Sequence, residues 1–162
     1  MTIVPHTPSP LTSTARRWAP RIYPGETAQA ARVRAELRTD LAGLPGISDD
    51  LVETVVLCAS EAFANAAEHT RSGDPGGRVV RALHIPTPGT IRLVIVDDGD
   101  RGNRPEVPHA RSAEEWETAE RGRGLLLVES LATEWGAAPV VSFPFCAELG
   151  TSVWAEFPLN PR

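Results

Sequence analysis

Lysine is absent from this 162-residue chain, and the 16 positions counted as lysine or arginine are all arginine. That excludes a phosphate loop built on the P-loop lysine, and any mechanism that runs through a lysine Schiff base. Cysteine is scarce: Cys58 and Cys146 stand far apart, outside any Cys-x-x-Cys spacing. Such a pair reads as buried thiols in a reducing compartment. No apolar run reaches membrane-spanning length and the first residues lack the apolar core of a signal peptide, so the expected setting is cytoplasmic, without membrane contact. An excess of positive charge is missing too, and a net charge of −5 argues against direct nucleic-acid binding. There is one local exception. Residues 15–38 carry Arg16, Arg17, Arg21, Arg32, Arg34 and Arg38 against Glu26 and Glu36, which is either a solvated face or a surface for an acidic partner.

What is present is ordinary in amount: 41% hydrophobic and 23% charged residues, enough for one globular domain with a real core. Residues 1–14, rich in Pro, Ser and Thr, read as a disordered tail, which leaves 15–162 as the domain. Residues 16–25 carry Trp18, Ile22 and Tyr23 but are broken by Pro20 and Pro24, so they predict an edge strand open to another chain. A helix is expected over 26–41, with Ala30, Val33, Leu37 and Leu41 on its apolar side. Ser48, Asp49 and Asp50 start a second helix that runs to about His69. Residues 71–77 read as a mobile turn, and 78–85 and 90–96 as strands joined at hairpin length. Residues 103–121 form a long connection with a capping box at Ser112 and Glu115, the profile of a lid. A glycine turn at Gly122 opens into a helix, and two closing strands fall near 135–143 and 152–157.

Chemistry-bearing residues fall into four short groups. Glu61 and Asn65 lie one helical turn apart, outside the apolar arc formed by Leu51, Val55, Cys58, Ala62, Ala66 and their neighbours. Such a pair can accept a proton and offer a hard amide oxygen to Mg²⁺, although by itself it reads as a solvated helix face. Asp97 with Gly99 ends a strand, where a carboxylate can accept from an exocyclic amine and glycine lets a base approach the backbone. Gly122 and Gly124 precede a helix, which presents free amides at the positive end of its dipole. Gly150 and Thr151 lead into the last strand.

Taken in this order, the groups resemble the Bergerat-fold ATPases, the superfamily of gyrase, histidine kinases and MutL, and most closely its anti-sigma-factor serine/threonine-kinase branch. Glu61 and Asn65 match the Glu-x-x-x-Asn box, Asp97 and Gly99 the Asp-x-Gly-x-Gly box, Gly122, Gly124 and Leu125 the Gly-x-Gly-Leu motif, and Gly150 and Thr151 the Gly-Thr box. The fold so implied is an α/β (α+β) two-layer sandwich, a mixed and mostly antiparallel sheet with about three helices on one face and an ATP lid. The resemblance casts Glu61 as general base, Asn65 as Mg²⁺ ligand and Asp97 as adenine reader. Gly122, Arg123 and Gly124 become the phosphate turn, and Thr151 a residue that helps hold Asp97 or a water near adenine. His69 is a weaker match, structural rather than catalytic. The implied ligands are ATP and Mg²⁺, and the implied partners an anti-anti-sigma-like protein, a sigma factor and a second copy of the chain.

One departure stands out: Arg101 occupies the place of the second glycine of the Asp box, with Gly102 one residue late. It leaves a non-catalytic ATP-binding regulatory module as the alternative. The 135–150 stretch is also long for this branch. No phosphoacceptor-histidine helix precedes the region and no second domain follows it in the sequence, which favours a minimal nucleotide domain acting on partners.

Overall fold

The computed structural model describes residues 16–99, 123–140 and 150–159. The expected tail, the 103–121 lid with its capping box, Arg101, Gly122, Cys146 and the later part of the 135–150 stretch lie outside them. In chain order the elements are β1 (Arg21–Pro24), α1 (Ala30–Ala42), α2 (Asp49–His69), β2 (Arg78–His84), β3 (Thr90–Val96), α3 (Arg123–Leu131), β4 (Glu134–Pro139) and β5 (Thr151–Pro158), with 3-10 turns at Thr27–Gln29 and Arg71–Gly73. The five strands form one open sheet in the order β1-β2-β3-β5-β4, and every described pairing is antiparallel.

Helices pack on one face of this sheet because the strands alternate. Val79, Arg81 and Leu83 of β2, Ile91, Leu93 and Ile95 of β3, and Ala155 and Phe157 of β5 are buried, with half-buried residues between them. Against them lie Val33, Leu37 and Leu41 of α1 and Leu51, Val55, Val56, Cys58, Ala59, Ala62, Phe63, Ala66 and Ala67 of α2. The N-terminus of α2 is fixed by Ser48, whose hydroxyl accepts from the Leu51 N–H at 3.2 Å, with Asp49 and Asp50 at the positive dipole end. The first helix starts later than its sequence suggests: residues 27–29 are a 3-10 turn, and neither Glu26 nor Gln29 makes a side-chain cap.

Strand periodicity puts Arg81, 1% exposed, in the core beneath β1. Its Nη2 donates to Asp40 at 2.5 Å and its Nε to the Tyr23 hydroxyl at 3.4 Å, while Arg21 reaches the other oxygen of Asp40 at 2.8 Å. Tyr23 donates to Glu36 at 2.8 Å, which closes a network that ties β1, β2 and α1 together. Half of the arginine-rich stretch is ion-paired within the chain, Arg21 with Asp40, Arg32 with Glu36 and Arg38 with Glu53, while Arg34 donates to the Ser60 hydroxyl.

Residues 71–77 form the expected turn, opening with the 3-10 turn at Arg71–Gly73. Ser72 in this segment is fully buried, and its hydroxyl donates to the Arg78 carbonyl at 2.7 Å. Ser72 is thus packed between the end of α2, the start of β2 and the end of β3, while residues 73–76 around it are exposed.

Candidate functional site

Glu61 and Asn65 project from α2 as the periodicity requires, but they do not face open solvent. Both are half-buried, because the first turn of α3 lies against them. A β-carbon on Gly124 would come 3.2 Å from Glu61 Cβ and 3.3 Å from Asn65 Nδ2. Glycine at that position lets the helix N-terminus, with its unsatisfied amides, sit directly on a carboxylate and a carboxamide. Leu125, the next residue, is buried, and Val128 one turn on joins Cys58 and Ala62 in lining a small apolar cavity. The helix is therefore anchored by its apolar side while its glycine end meets the acid and the amide.

The Asn65 Nδ2 atom is buried with no hydrogen-bond partner among the described residues. Buried polar groups are nearly always satisfied, so an orphan here marks a place that the described residues leave to be completed. A phosphate oxygen would accept from Nδ2, and with the amide turned over a cation would take Oδ1. The donor set fits ATP with Mg²⁺ on these terms. One neutral oxygen donor suits a Mg²⁺ whose other ligands are phosphates and water, the usual arrangement for that ion.

The second half of the site is built where β3 ends. Asp97 continues the buried side of β3 past Ile95 and is 7% exposed. Its Oδ1 accepts from the Gly99 N–H at 2.7 Å and from the Thr151 N–H at 3.0 Å, and its own N–H donates to the Thr151 carbonyl at 3.0 Å. Thr151 thus holds Asp97 through its backbone. Gly150 is pressed so closely on this turn that an added β-carbon would lie 1.6 Å from the Asp97 carbonyl oxygen. Gly99 has φ of +102°, a conformation L side chains rarely adopt. Two groups far apart in sequence, Asp97 with Gly99 and Gly150 with Thr151, are one structural unit.

The halves are linked by α2. Its C-terminal turn passes into Arg71, whose N–H donates to the Gly99 carbonyl at 2.9 Å and whose Nη2 donates to the Asp98 carbonyl at 3.1 Å. Sequence reading missed Arg71, Ser72 and Asp98. The available signal was the run of Arg, Ser and Gly directly after the Glu-x-x-x-Asn helix, which was given to turn formation alone. Of the expected site residues, the structure brings Glu61, Asn65, Gly124 and Leu125 together at the α2–α3 junction, and Asp97, Gly99 and Thr151 together at the β3–β5 junction. Arg123 begins α3, and Gly122 lies outside the described residues.

Burial, with the nearby Glu61 charge, pushes the Cys58 thiol up to about 12, so it stays neutral and unreactive. His69 lies at the end of α2, partly exposed, 3.8 Å from Glu68. No helix among the described residues is long and apolar enough to cross a membrane.

The family of the histidine kinase-like ATPase domain matches residues 23–139. Among solved structures, the mycobacterial sensor histidine kinase MprB is similar at 21% identity with a TM-score of 0.48, over 89% of this chain and 99% of that one. No curated protein matches.

Proposed function

The chain belongs to the histidine kinase-like ATPase domain family, and from that premise we propose that it is a protein serine/threonine kinase: it binds ATP with Mg²⁺, phosphorylates an anti-anti-sigma-like protein, and regulates transcription by holding a sigma factor. The observation that carries this reading is the seat of Gly124 on Glu61 and Asn65, which puts helix-terminal amides, a base and an unsatisfied carboxamide at one place.

Each group then has a task. Asp97, buried and held by two backbone amides, accepts a hydrogen bond from the adenine amine. The start of α3 offers its free amides to the phosphates. The hydroxyl oxygen of the substrate protein forms a bond to the γ-phosphorus as the bond to the ADP oxygen breaks, and Glu61 takes the hydroxyl proton. Mg²⁺, when bound, neutralises charge on the phosphate oxygens, and Asn65 is the residue that would hold it. The half-buried setting at the α2–α3 junction keeps water from competing for the transfer.

Incubation with γ-labelled ATP and candidate substrate proteins tests the reading. Label on a serine or threonine of the partner supports it. A second reading is favoured by Arg101, which stands where the Asp box has its second glycine: a regulatory module that binds ATP without transferring phosphate. Retained ATP with no labelled protein selects the module.

The same reading includes a homodimer. β1 lies at the outer edge of the sheet and its Ile22 is 58% exposed, which supports pairing of two such edges. A monomeric mass by light scattering at micromolar concentration would remove this part of the proposal.

A further inference from the structure

Ser72 is fully buried, and both functions of its hydroxyl are used. It donates to the Arg78 carbonyl at 2.7 Å and accepts from the Asp98 N–H at 2.8 Å. The Arg78 N–H in turn donates to Asp98 Oδ2 at 2.5 Å. Arg71 adds the bonds to the Gly99 and Asp98 carbonyls described above. The Ser72 carbonyl is enclosed as well, since β-carbons on Gly25 and Gly77 would come within 1.8 and 2.1 Å of it. The Asp97–Gly99 turn is therefore held from two sides. Its inner side is fixed by the Asp97 carboxylate and β5, and on its outer side the Asp98 N–H, the Asp98 carbonyl and the Gly99 carbonyl all go to Arg71 and Ser72.

We propose that Ser72, assisted by Arg71, is a positioning residue for purine selectivity: by fixing the outer side of the turn it holds the Asp97 carboxylate where a base amine is read. The inference rests on the assignment of Asp97 as the base reader. Gly99 gives the turn a choice of backbone states, and a turn with that freedom keeps one geometry only when its peptide groups are tied. Without the Ser72 hydroxyl the Asp98 peptide can rotate, and Asp97 loses its aim. The phosphate contacts come from α3, a different element, and do not depend on that peptide. The loss therefore falls on the base and not on the phosphates.

ATP and ITP separate these effects, because they share a triphosphate and differ at the exocyclic position, where ITP carries an oxygen in place of the amine. Dissociation constants are measured for both nucleotides on the full chain, on Ser72→Ala and on Arg71→Ala. The wild type is expected to prefer ATP by about tenfold or more, the worth of one charge-assisted hydrogen bond. In Ser72→Ala the ATP/ITP preference falls by at least about threefold with ITP affinity nearly unchanged, and Arg71→Ala shifts the ratio the same way. Equal weakening of both nucleotides, or an unchanged ratio, overturns the inference by reducing both residues to scaffold. Should Ser72→Ala fail to fold, Arg71→Ala decides, since it removes the Nη2 bond to the Asp98 carbonyl and leaves the Ser72 bonds in place. A wild type with no preference would overturn the base-reading role of Asp97 itself, and this inference with it.

Discussion

Gly124 packs so tightly on Glu61 that a β-carbon added to the glycine would stand 2.9 Å from the carboxylate oxygen Oε2. The close approach joins the first and third motifs of the sequence in one place, and it can be tested directly. Gly124→Ala should pull in two directions. Alanine is the better helix former by about 1 kcal/mol, so the unfolding midpoint should hold or rise. The methyl group nevertheless displaces the carboxylate and crowds Asn65, so phosphate transfer should fall about tenfold or more, as misplacement of a reacting group does. Calorimetry beside a transfer assay checks the split, and transfer at the wild-type rate would show that the contact is incidental.

Glu61→Gln keeps the shape of the side chain and removes its basicity. Transfer to the partner protein should drop by about 10²–10⁴-fold, the usual contribution of a general base, while ATP affinity stays within about threefold. Binding by isothermal titration and transfer by labelled ATP are read on the same preparation. Loss of nucleotide binding in this variant would reassign Glu61 to the binding machinery.

Asp97→Asn preserves an oxygen for the Gly99 and Thr151 amides but removes the charge that favours a base amine. ATP and ADP affinities should both weaken by about 10–100-fold, since the two share the base. Unchanged affinity would remove Asp97 from the pocket.

Asp40 makes stability depend on acid. Burial alone would raise its pKa, but the bonds from Arg21 and Arg81 outweigh that and hold it below the usual carboxylate value. A carboxyl whose folded pKa is depressed contributes stability above its unfolded value of about 3.9, and that stability is lost as pH falls through the folded value. The wild-type unfolding midpoint should therefore drop steeply below about pH 4, and Asp40→Asn should lose part of that slope. At neutral pH the variant should be destabilised by about 3 kcal/mol, because Arg81 keeps its burial with its counter-charge gone. A midpoint equal to wild type at pH 7 would show the pair to be neutral overall.

The α2 helix was the most legible part of the fold from sequence. Ser48 carries a capping signal, the apolar arc repeats over five turns, and the helix ends at His69 as read. The β2 and β3 hairpin was equally plain, since alternation and a Pro/Gly connection coincide. What could not be read is the fate of polar residues whose partners are distant. Arg81 sits at a strand position whose parity says core, but its charge says surface, and only the acceptors on α1 and β1 resolve the conflict. Ser72 looked like turn filling because nothing local reveals that Asp98 and Arg78 converge on it. Within the site, the motifs named the residues but not their depth. Glu61 and Asn65 read as a solvated face, and it is the packing of α3 that makes them half-buried.

Gly150 bears on how the protein is born. The Asp97 carboxylate accepts from the Thr151 N–H at the start of β5, and its turn is shaped by the glycine just before that strand. A chain emerging from the ribosome meets its earlier segments first. It can therefore display Glu61, Asn65 and the glycine start of α3 while the Asp97 carboxylate still lacks its bond from Thr151. The Asp97 turn takes its held shape only once β5 has joined β3, late in chain order among the described elements.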